Sequence, residues 1–191
     1  DDARHMVVLG AGSVAGNIIA AYSQMFPGLG SFTIWNRTFE KAKALAETLQ
    51  SSGLAVSAAS DLPGAVAQAD IVTCATMSTQ PILQGTWLQP GTHVDLIGAF
   101  RADMREADDE VLTRGQIYVD SRDTTLAHIG ELKIPLSAGL IAEDDILADL
   151  YQLKAGGFSN RHPGTITVFK NGGGAHLDLM IANAILLLEG S

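Results

Sequence analysis

Short apolar runs alternate with amphipathic stretches along the whole chain. Apolar runs bounded by turn residues are typical of buried strands, whereas apolar residues three and four apart are typical of helices that cover a sheet. Strands are predicted at Met6–Leu9, Phe32–Trp35, Leu54–Ala58, Ile71–Ala75, His93–Ile97, Ile117–Val119 and Thr165–Phe169. Helices are predicted at Ser13–Met25, Thr38–Leu49, Leu62–Ala69, Glu106–Arg114, Ile141–Leu150 and Ala175–Leu188. The alternation predicts an α/β fold with a doubly wound, mostly parallel sheet.

The first predicted strand runs into a glycine-rich turn that opens the first helix. Gly10 permits a tight turn, Gly12 lets backbone N–H groups approach a pyrophosphate, and the small Ala15 lets the helix pack close to its strand. A second strand follows the helix, so the whole context of a dinucleotide-binding turn is present. The sequence therefore predicts a Rossmann NAD(P)-binding domain. The residues predicted to touch the cofactor in this turn are Gly10, Ala11, Gly12, Ser13, Val14 and Ala15.

The end of the second strand bears on the choice of dinucleotide. A free ribose 2′-hydroxyl is usually held by an Asp or Glu here, whereas a 2′-phosphate requires a nearby cation and no carboxylate. The chain has Asn36, Arg37 and Thr38 at this point. Arg37 can pair with a phosphate and Thr38 can donate a hydrogen bond, which favours NADP(H) over NAD(H). Two plainer interpretations stay open, in which Arg37 is a solvated charge and Thr38 is a helix N-cap.

Composition narrows the class of protein. The 191 residues suit one domain, and a formal charge of -9 with a pI near 4.8 argues against nucleic acid and anionic membranes as partners. No apolar run approaches the ~20 residues that span a bilayer, and no basic-then-apolar leader opens the chain. Its single cysteine allows no internal disulfide. We expect a cytoplasmic protein.

Ligands of such sheets lie at the carboxyl ends of the strands. The predicted fourth strand ends in small residues and a hydroxyl that can meet the nicotinamide ribose, and the fifth ends where a group close to the nicotinamide is expected. The cofactor-binding candidates there are Ala75, Thr76, Met77, Gly98 and Phe100. Cys74 has no base close in sequence, so it is interpreted as a small buried hydrophobe rather than a nucleophile.

Other polar residues have plain structural interpretations. His93 lies inside an apolar strand and is expected to be a hydrogen-bonded core histidine. Four acidic residues lie at a predicted helix start, where the positive end of the helix dipole is expected to stabilise their carboxylates. They are Asp103, Glu106, Asp108 and Asp109. His162 and His176 are isolated, and no His or Cys spacing is typical of zinc, so no metal site is predicted.

Several motifs together resemble those of a known family, and they extend over almost the whole chain. The resemblance rests on the glycine turn and Trp35-Asn36-Arg37-Thr38, then on Ala75-Thr76-Met77-Ser78, Pro81-Ile82-Leu83, Gly85-Thr86-Trp87-Leu88, Pro90-Gly91-Thr92-His93 and Gly98-Ala99. It continues in Met104-Arg105-Glu106-Ala107-Asp108, Val119-Asp120-Ser121-Arg122 and Ile166-Thr167-Val168-Phe169-Lys170-Asn171, with Asp178 beyond. In this order these motifs resemble the ornithine cyclodeaminase and mu-crystallin family.

The resemblance implies a nicotinamide enzyme of amino-acid and imino-acid metabolism. In the cyclodeaminases and related alanine dehydrogenases an Asp that handles protons follows the Gly-Ala of the fifth strand, and here Phe100 stands in its place. Phenylalanine has no proton to exchange, so the ketimine-reductase branch is favoured. The expected activity is NADP(H)-dependent reduction of cyclic imino acids of the pyrroline-2-carboxylate and piperideine-2-carboxylate kind. An ornithine cyclodeaminase, an amino-acid dehydrogenase and a non-catalytic NADPH-binding sensor or carrier remain alternatives.

The resemblance also places Asn171 and Gly172 against the nicotinamide, although the residues alone would suggest a flexible turn. Residues 1–174 are expected to form the NADP(H)-binding domain. The segment 175–191 carries a helix that is apolar all round, and such a helix needs covering on several sides. The chain starts just before its first strand, so we expect the substrate Lys and Arg that the resemblance implies to lie in a preceding domain. The last helix would pack on that domain, which would also form a homodimer.

Overall fold

The fold is an eight-stranded parallel sheet with helices on both faces. The computed structural model describes residues 2–158, 162 and 164–189. The strands are β1 His5–Leu9, β2 Ser31–Trp35, β3 Val56–Ala59, β4 Ile71–Cys74, β5 His93–Leu96, β6 Gln116–Val119, β7 Ile146–Asp149 and β8 Thr167–Lys170. The α-helices are α1 Ser13–Met25, α2 Phe39–Ser51, α3 Leu62–Val66, α4 Asp109–Arg114, α5 Arg122–Thr125, α6 Gly130–Ser137 and α7 Ala175–Glu189. The predicted doubly wound α/β class is confirmed.

The strand order is β3-β2-β1-β4-β5-β8-β6-β7, and every neighbouring pair is parallel. The direction of winding reverses between β1 and β4, and in such sheets a crevice opens outside the carboxyl ends of the strands at this point. β8 is last in sequence but lies between β5 and β6. The loop after β8 therefore meets the loop after β5 at the same edge.

The core has two parts, one on each face of the sheet. One face packs β1 and β2 against α1 and α2 through residues such as Ile19 and Ile34, both fully buried. The other face is larger and buries residues such as Leu96 and Leu132. Alternate residues of each strand reach opposite faces, so both faces need apolar side chains and the strands have nearly continuous apolar runs.

One predicted helix is wrong. Ile141–Leu150 is not helical but contains a 3-10 turn, Glu143–Asp145, followed by β7. Along β7 the side chains of Ile146 and Ala148 are buried while that of Leu147 is exposed, which is the alternation of a strand. The spacing of the apolar residues in this stretch fits both a helix and a strand, and hydrogen bonding to β6 selects the strand.

Two short helices, α5 and α6, were not predicted. α6 begins at a glycine and contains Pro135, both of which weaken the helical pattern in a sequence. The predicted helix Glu106–Arg114 in fact begins at Asp109, because Asp108 is its N-cap and accepts a hydrogen bond from the Val111 N–H at 3.1 Å.

The last helix, α7, leaves its apolar side chains in contact with solvent. These side chains are between 49% and 77% exposed at Leu179, Met180, Ile181, Ile185, Leu186 and Leu187. Apolar surface of this extent on one helix is typical of a face that another body covers. No helix in the part of the chain that the structure describes is long and apolar enough to cross a membrane.

Candidate cofactor-binding site

The turn after β1 forms an open cradle of backbone N–H groups at the start of α1. Gly12 is the N-cap of this helix, and no side chain caps it. A Cβ atom added to Gly12 would meet nothing within 4 Å, so free space lies in front of the helix. Ser13 and Val14 are exposed there, whereas Ala15 is fully buried. The uncapped N–H groups and the helix dipole together make a binding site for an anion such as a diphosphate.

Gly10 has a different role from Gly12, because it allows two loops to touch. Its φ of 117° is in the region that favours glycine, and a Cβ atom here would overlap the carbonyl oxygen of Ala75. The Gly10 N–H donates to the carbonyl of Trp35 at 2.8 Å. The turn after β1 is thereby fixed between the ends of β2 and β4, the two strands that flank it.

The end of β2 presents a cation and no carboxylate. Asn36 donates from Nδ2 to the Thr38 carbonyl at 2.9 Å, which folds the loop back into α2. Thr38 is the N-cap of α2, as one of the plainer interpretations expected, but its hydroxyl makes no capping hydrogen bond. The Arg37 side chain is exposed and has no hydrogen bond or ion pair with any residue that the structure describes. Arg37 and the Thr38 hydroxyl are therefore available to a ligand.

A buried carboxylate clamps the loops after β4 and β5 together. Glu106 is fully buried, and its Oε1 accepts from the N–H and the hydroxyl of Thr76 at 2.6 and 2.8 Å. Its Oε2 accepts from the N–H groups of Gly98 and Ala99 at 2.6 and 3.1 Å. Burial raises the pKa of Glu106, and the donors of Thr76 and Ala99, together with the charge of Lys170, oppose this shift because they favour the carboxylate. The sequence interpretation of Glu106 as a helix-start charge is wrong.

Behind this clamp lies a second buried carboxylate. Glu131 accepts from the N–H of Glu106 at 2.7 Å and from that of Ala107 at 3.0 Å. It is fully buried, and burial raises its pKa to about 7. Glu131 is carried by α6, so it ties the segment that carries Glu106 to this helix.

The predicted residues of these two loops take different positions. The Thr76 hydroxyl is directed into the clamp, so it does not face the crevice as a free donor. Met77 is 72% exposed and Phe100 is 53% exposed, with the Arg101 guanidinium 5.7 Å from the Phe100 ring centre. Phe100 therefore gives this part of the edge an apolar surface with no group that exchanges a proton.

The loop after β8 completes the edge. The Asn171 N–H donates to the Leu96 carbonyl at 3.0 Å, and its Oδ1 accepts from the Gly173 N–H at 2.8 Å. A Cβ atom on Gly172 would lie 2.6 Å from the hydroxyl of the buried Thr125, so a larger residue here would displace that side chain. The structure thus brings Asn171 and Gly172 to the strand edge that also carries Gly98 and Phe100.

Of the remaining candidates, Cys74 is buried as predicted, and burial raises the pKa of its thiol well above the usual range. His93 is hydrogen-bonded as predicted, through Nδ1 to the Thr167 hydroxyl at 2.8 Å, but it is only half-buried. Asp103 is exposed and forms an ion pair with Arg101 at 3.0 Å, so it does not act as a carboxylate at a helix start. Among the described residues, no group of three or more His, Cys, Asp or Glu could hold a metal ion.

Sequence reasoning missed the buried charges Glu106, Glu131 and Lys170. Their hydrogen-bond partners are distant in sequence, so no local motif marks these residues as buried. One signal could have suggested Lys170: it directly continues the apolar run Ile166–Phe169, where the next residue of a buried strand is expected to be buried as well.

Comparison with known proteins agrees with the geometry. The model of the ornithine cyclodeaminase/mu-crystallin family matches residues 1–186. A Delta(1)-pyrroline-2-carboxylate reductase of Paracoccus denitrificans is 52% identical over 96% of this chain and 58% of that protein. The ketimine reductase mu-crystallin of Mus musculus is 36% identical over 94% of this chain and 54% of that protein.

A solved structure shares the fold. The Delta(1)-pyrroline-2-carboxylate reductase of Thermococcus litoralis, in complex with NADH and L-proline, superposes with a TM-score of 0.84 at 27% identity, over 90% of this chain and 54% of that one. The chain therefore spans little more than half the length of the relatives that it matches.

Proposed function

The chain belongs to the ornithine cyclodeaminase/mu-crystallin family, and from this membership and the geometry of the site we propose that it is the cofactor-binding part of a reductase of cyclic imino acids. The enzyme would transfer a hydride from NADP(H) to the C=N bond of a ketimine carboxylate of the pyrroline-2-carboxylate or piperideine-2-carboxylate kind. NAD(H) is the less favoured cofactor. The relatives named as pyrroline-2-carboxylate and ketimine reductases support this reaction class.

The observation that carries the cofactor assignment is the pairing of an open N–H cradle with an unpaired cation. The cradle in front of Gly12 fits the diphosphate of a dinucleotide. Arg37 and the Thr38 hydroxyl, both free of other partners within the described residues, fit a 2′-phosphate at the end of β2. A carboxylate at this position would repel that phosphate, and the chain has Asn36 instead.

The bound nicotinamide supplies the hydride, and the protein supplies binding, orientation and an environment with little water. Gly12 and the first turn of α1 would hold the diphosphate, while the loops after β4, β5 and β8 would lie along the nicotinamide half. Phe100 would shield that half from solvent with its ring. Because Phe100 carries no exchangeable proton, it supports imine reduction over a cyclodeaminase cycle in which a carboxylate at this point handles protons.

We infer that the groups that clasp the substrate carboxylate, a Lys and an Arg, belong to a further domain of the protein. The exposed apolar face of α7 supports this division, with residues 1–174 as the cofactor domain and 175–191 as the segment that packs on the other. The second domain would also form the homodimer. A cytoplasmic location and partners limited to small imino or amino acids complete the proposal.

The test is an assay of the protein expressed from its natural gene. NADPH oxidation should be followed with Δ1-pyrroline-2-carboxylate and Δ1-piperideine-2-carboxylate, in parallel with ammonia release from ornithine and NADP⁺ reduction with alanine. We expect imine-dependent oxidation that exceeds the other two activities. Faster ammonia release would identify a cyclodeaminase, and faster reduction with alanine an amino-acid dehydrogenase. NADPH binding without any turnover would identify a carrier or sensor.

A further inference from the structure

Lys170, the last residue of β8, is a fully buried cation whose ammonium group binds three carbonyl oxygens. Its Nζ donates to the carbonyl of Leu96 at 2.9 Å, to that of Ala99 at 2.7 Å and to that of Asn171 at 2.7 Å. Three acceptors match the three N–H bonds of an ammonium, whereas a neutral amine would turn its lone pair toward one of the carbonyls. The hydrogen-bond geometry therefore requires the charged form.

The surrounding charges favour the same form. Burial lowers the pKa of Lys170 overall, and the carboxylates of Glu131, Glu106, Asp120 and Asp95 oppose this shift because they favour the ammonium. A buried cation of this kind is tolerated only where it is both paired and hydrogen-bonded. The three carbonyls supply the hydrogen bonds, and the carboxylates around Lys170 supply opposite charge without a direct ion pair among the described residues. The proposed reaction gives this lysine no role.

The three carbonyls belong to segments that meet at the nicotinamide end of the proposed site. Leu96 ends β5, Ala99 is in the loop that follows it, and Asn171 begins the loop after β8. The Ala99 residue is held from two sides, because Glu106 accepts from its N–H and Lys170 donates to its carbonyl. Phe100, the next residue, is exposed at the edge and takes its position from this arrangement.

We propose that Lys170 is a positioning residue for the nicotinamide half of the dinucleotide, which sets the loop after β5 against the loop after β8 through these three hydrogen bonds. The inference rests on the proposed function, since it takes the nicotinamide to lie along this edge. Binding of the adenosine half of the dinucleotide does not depend on Lys170. Its proposed contacts, at Gly12 and Arg37, belong to the β1 and β2 end of the sheet, and Lys170 bonds to none of them.

The test compares two ligands that share the adenosine half. Adenosine 2′,5′-bisphosphate contains the 2′-phosphate but no nicotinamide, whereas NADPH contains both. Binding of each should be measured by calorimetry, with the emission of bound dihydronicotinamide as a second readout, for the wild type and for Lys170→Met. Lys43→Met, which removes an exposed lysine of α2, is the matched control.

For Lys170→Met we expect NADPH to bind about tenfold more weakly, which is about 1.4 kcal/mol, while adenosine 2′,5′-bisphosphate binds as it does to the wild type. The emission of bound NADPH should move toward that of free NADPH. Lys43→Met should leave both affinities unchanged. Lys170→Arg keeps the charge that balances Glu106 and Glu131, but its planar guanidinium cannot reproduce the three bonds, so it should show the same selective loss.

Equal weakening of both ligands by Lys170→Met and Lys170→Arg, or unfolding of both variants, would assign Lys170 to the fold alone and overturn the inference. Unchanged binding of NADPH would overturn it too. A wild-type protein that binds neither ligand is a separate outcome, which would refute the proposed cofactor and with it the basis of this role.

Discussion

The substitution Glu106→Gln tests whether one buried carboxylate holds the loops of the site. Glutamine has nearly the same shape, but one acceptor oxygen becomes an NH₂ group, which is a donor. In its better orientation this NH₂ donates to the Thr76 hydroxyl and faces the Thr76 N–H, which loses its acceptor. The bonds from Gly98 and Ala99 survive, but to a neutral oxygen.

The expected loss of stability follows from these changes. A buried N–H without an acceptor costs about 1–3 kcal/mol, and each of two bonds that changes from a charged to a neutral acceptor loses about 1 kcal/mol. Glutamine avoids burying a charge, which offsets part of this loss because burial raises the pKa of Glu106. The free energy of unfolding should therefore fall by about 2–4 kcal/mol, which is a large share of the total for a domain of this size. The melting temperature should fall by about 10 °C.

Urea unfolding and thermal melting of Glu106→Gln measure this directly. Asp103→Asn is the control, because Asp103 lies three residues away but is exposed and paired with the exposed Arg101. The melting temperature of this variant should equal that of the wild type. A loss for Glu106→Gln below about 1 kcal/mol, the size of one ordinary net hydrogen bond, would refute the idea that this carboxylate clamps the loops.

Three further substitutions have defined outcomes. Gly12→Ala should lower the melting temperature by at most about 4 °C, since its Cβ meets nothing but alanine is a poorer N-cap than glycine. It should weaken NADPH binding at least about tenfold by filling the space before the cradle; unchanged affinity in a titration would contradict this. Gly10→Ala, at φ 117° and against Ala75, should lower both stability and affinity, and a wild-type melting curve would count against it. Burial raises the pKa of Asp95 from 3.8 to about 6, so the folded protein binds this proton more tightly than the unfolded chain does. The stability that this supplies is complete below pH 3.8 and is lost as the pH rises through about 6. Asp95→Asn should therefore flatten the decline of the melting temperature over this range, and parallel wild-type and variant pH profiles would disprove it.

The glycine turn could be predicted from the sequence because its requirements are local. Gly10 needs a φ that other residues avoid, and Gly12 directly precedes the helix that it caps, so both features can be recognised from adjacent residues of the chain. The end of β2 is similarly local, and the absence of a carboxylate beside Arg37 is visible in the sequence itself.

The buried charges could not be predicted in this way, because their surroundings are built from distant segments. Glu106 bonds to Thr76, 30 residues away, and Lys170 bonds to Leu96, 74 residues away. An acidic residue just before a helix is usually a solvated charge near the helix dipole, so local pattern alone assigns Glu106 wrongly. β7 was missed for a related reason, since Ile146 and Leu147 fit a helix until pairing with β6 fixes which of them is buried.

The central claim is that the amino-terminal cradle binds a dinucleotide and that Arg37 selects the 2′-phosphate. The most direct measurement is the dissociation constants of NADPH and NADH for the wild type and Arg37→Ala. The account predicts that the wild type binds NADPH more tightly and that Arg37→Ala weakens NADPH about tenfold or more without changing NADH. Equal affinity of the wild type for both nucleotides, or an equal loss of both in the variant, would contradict it.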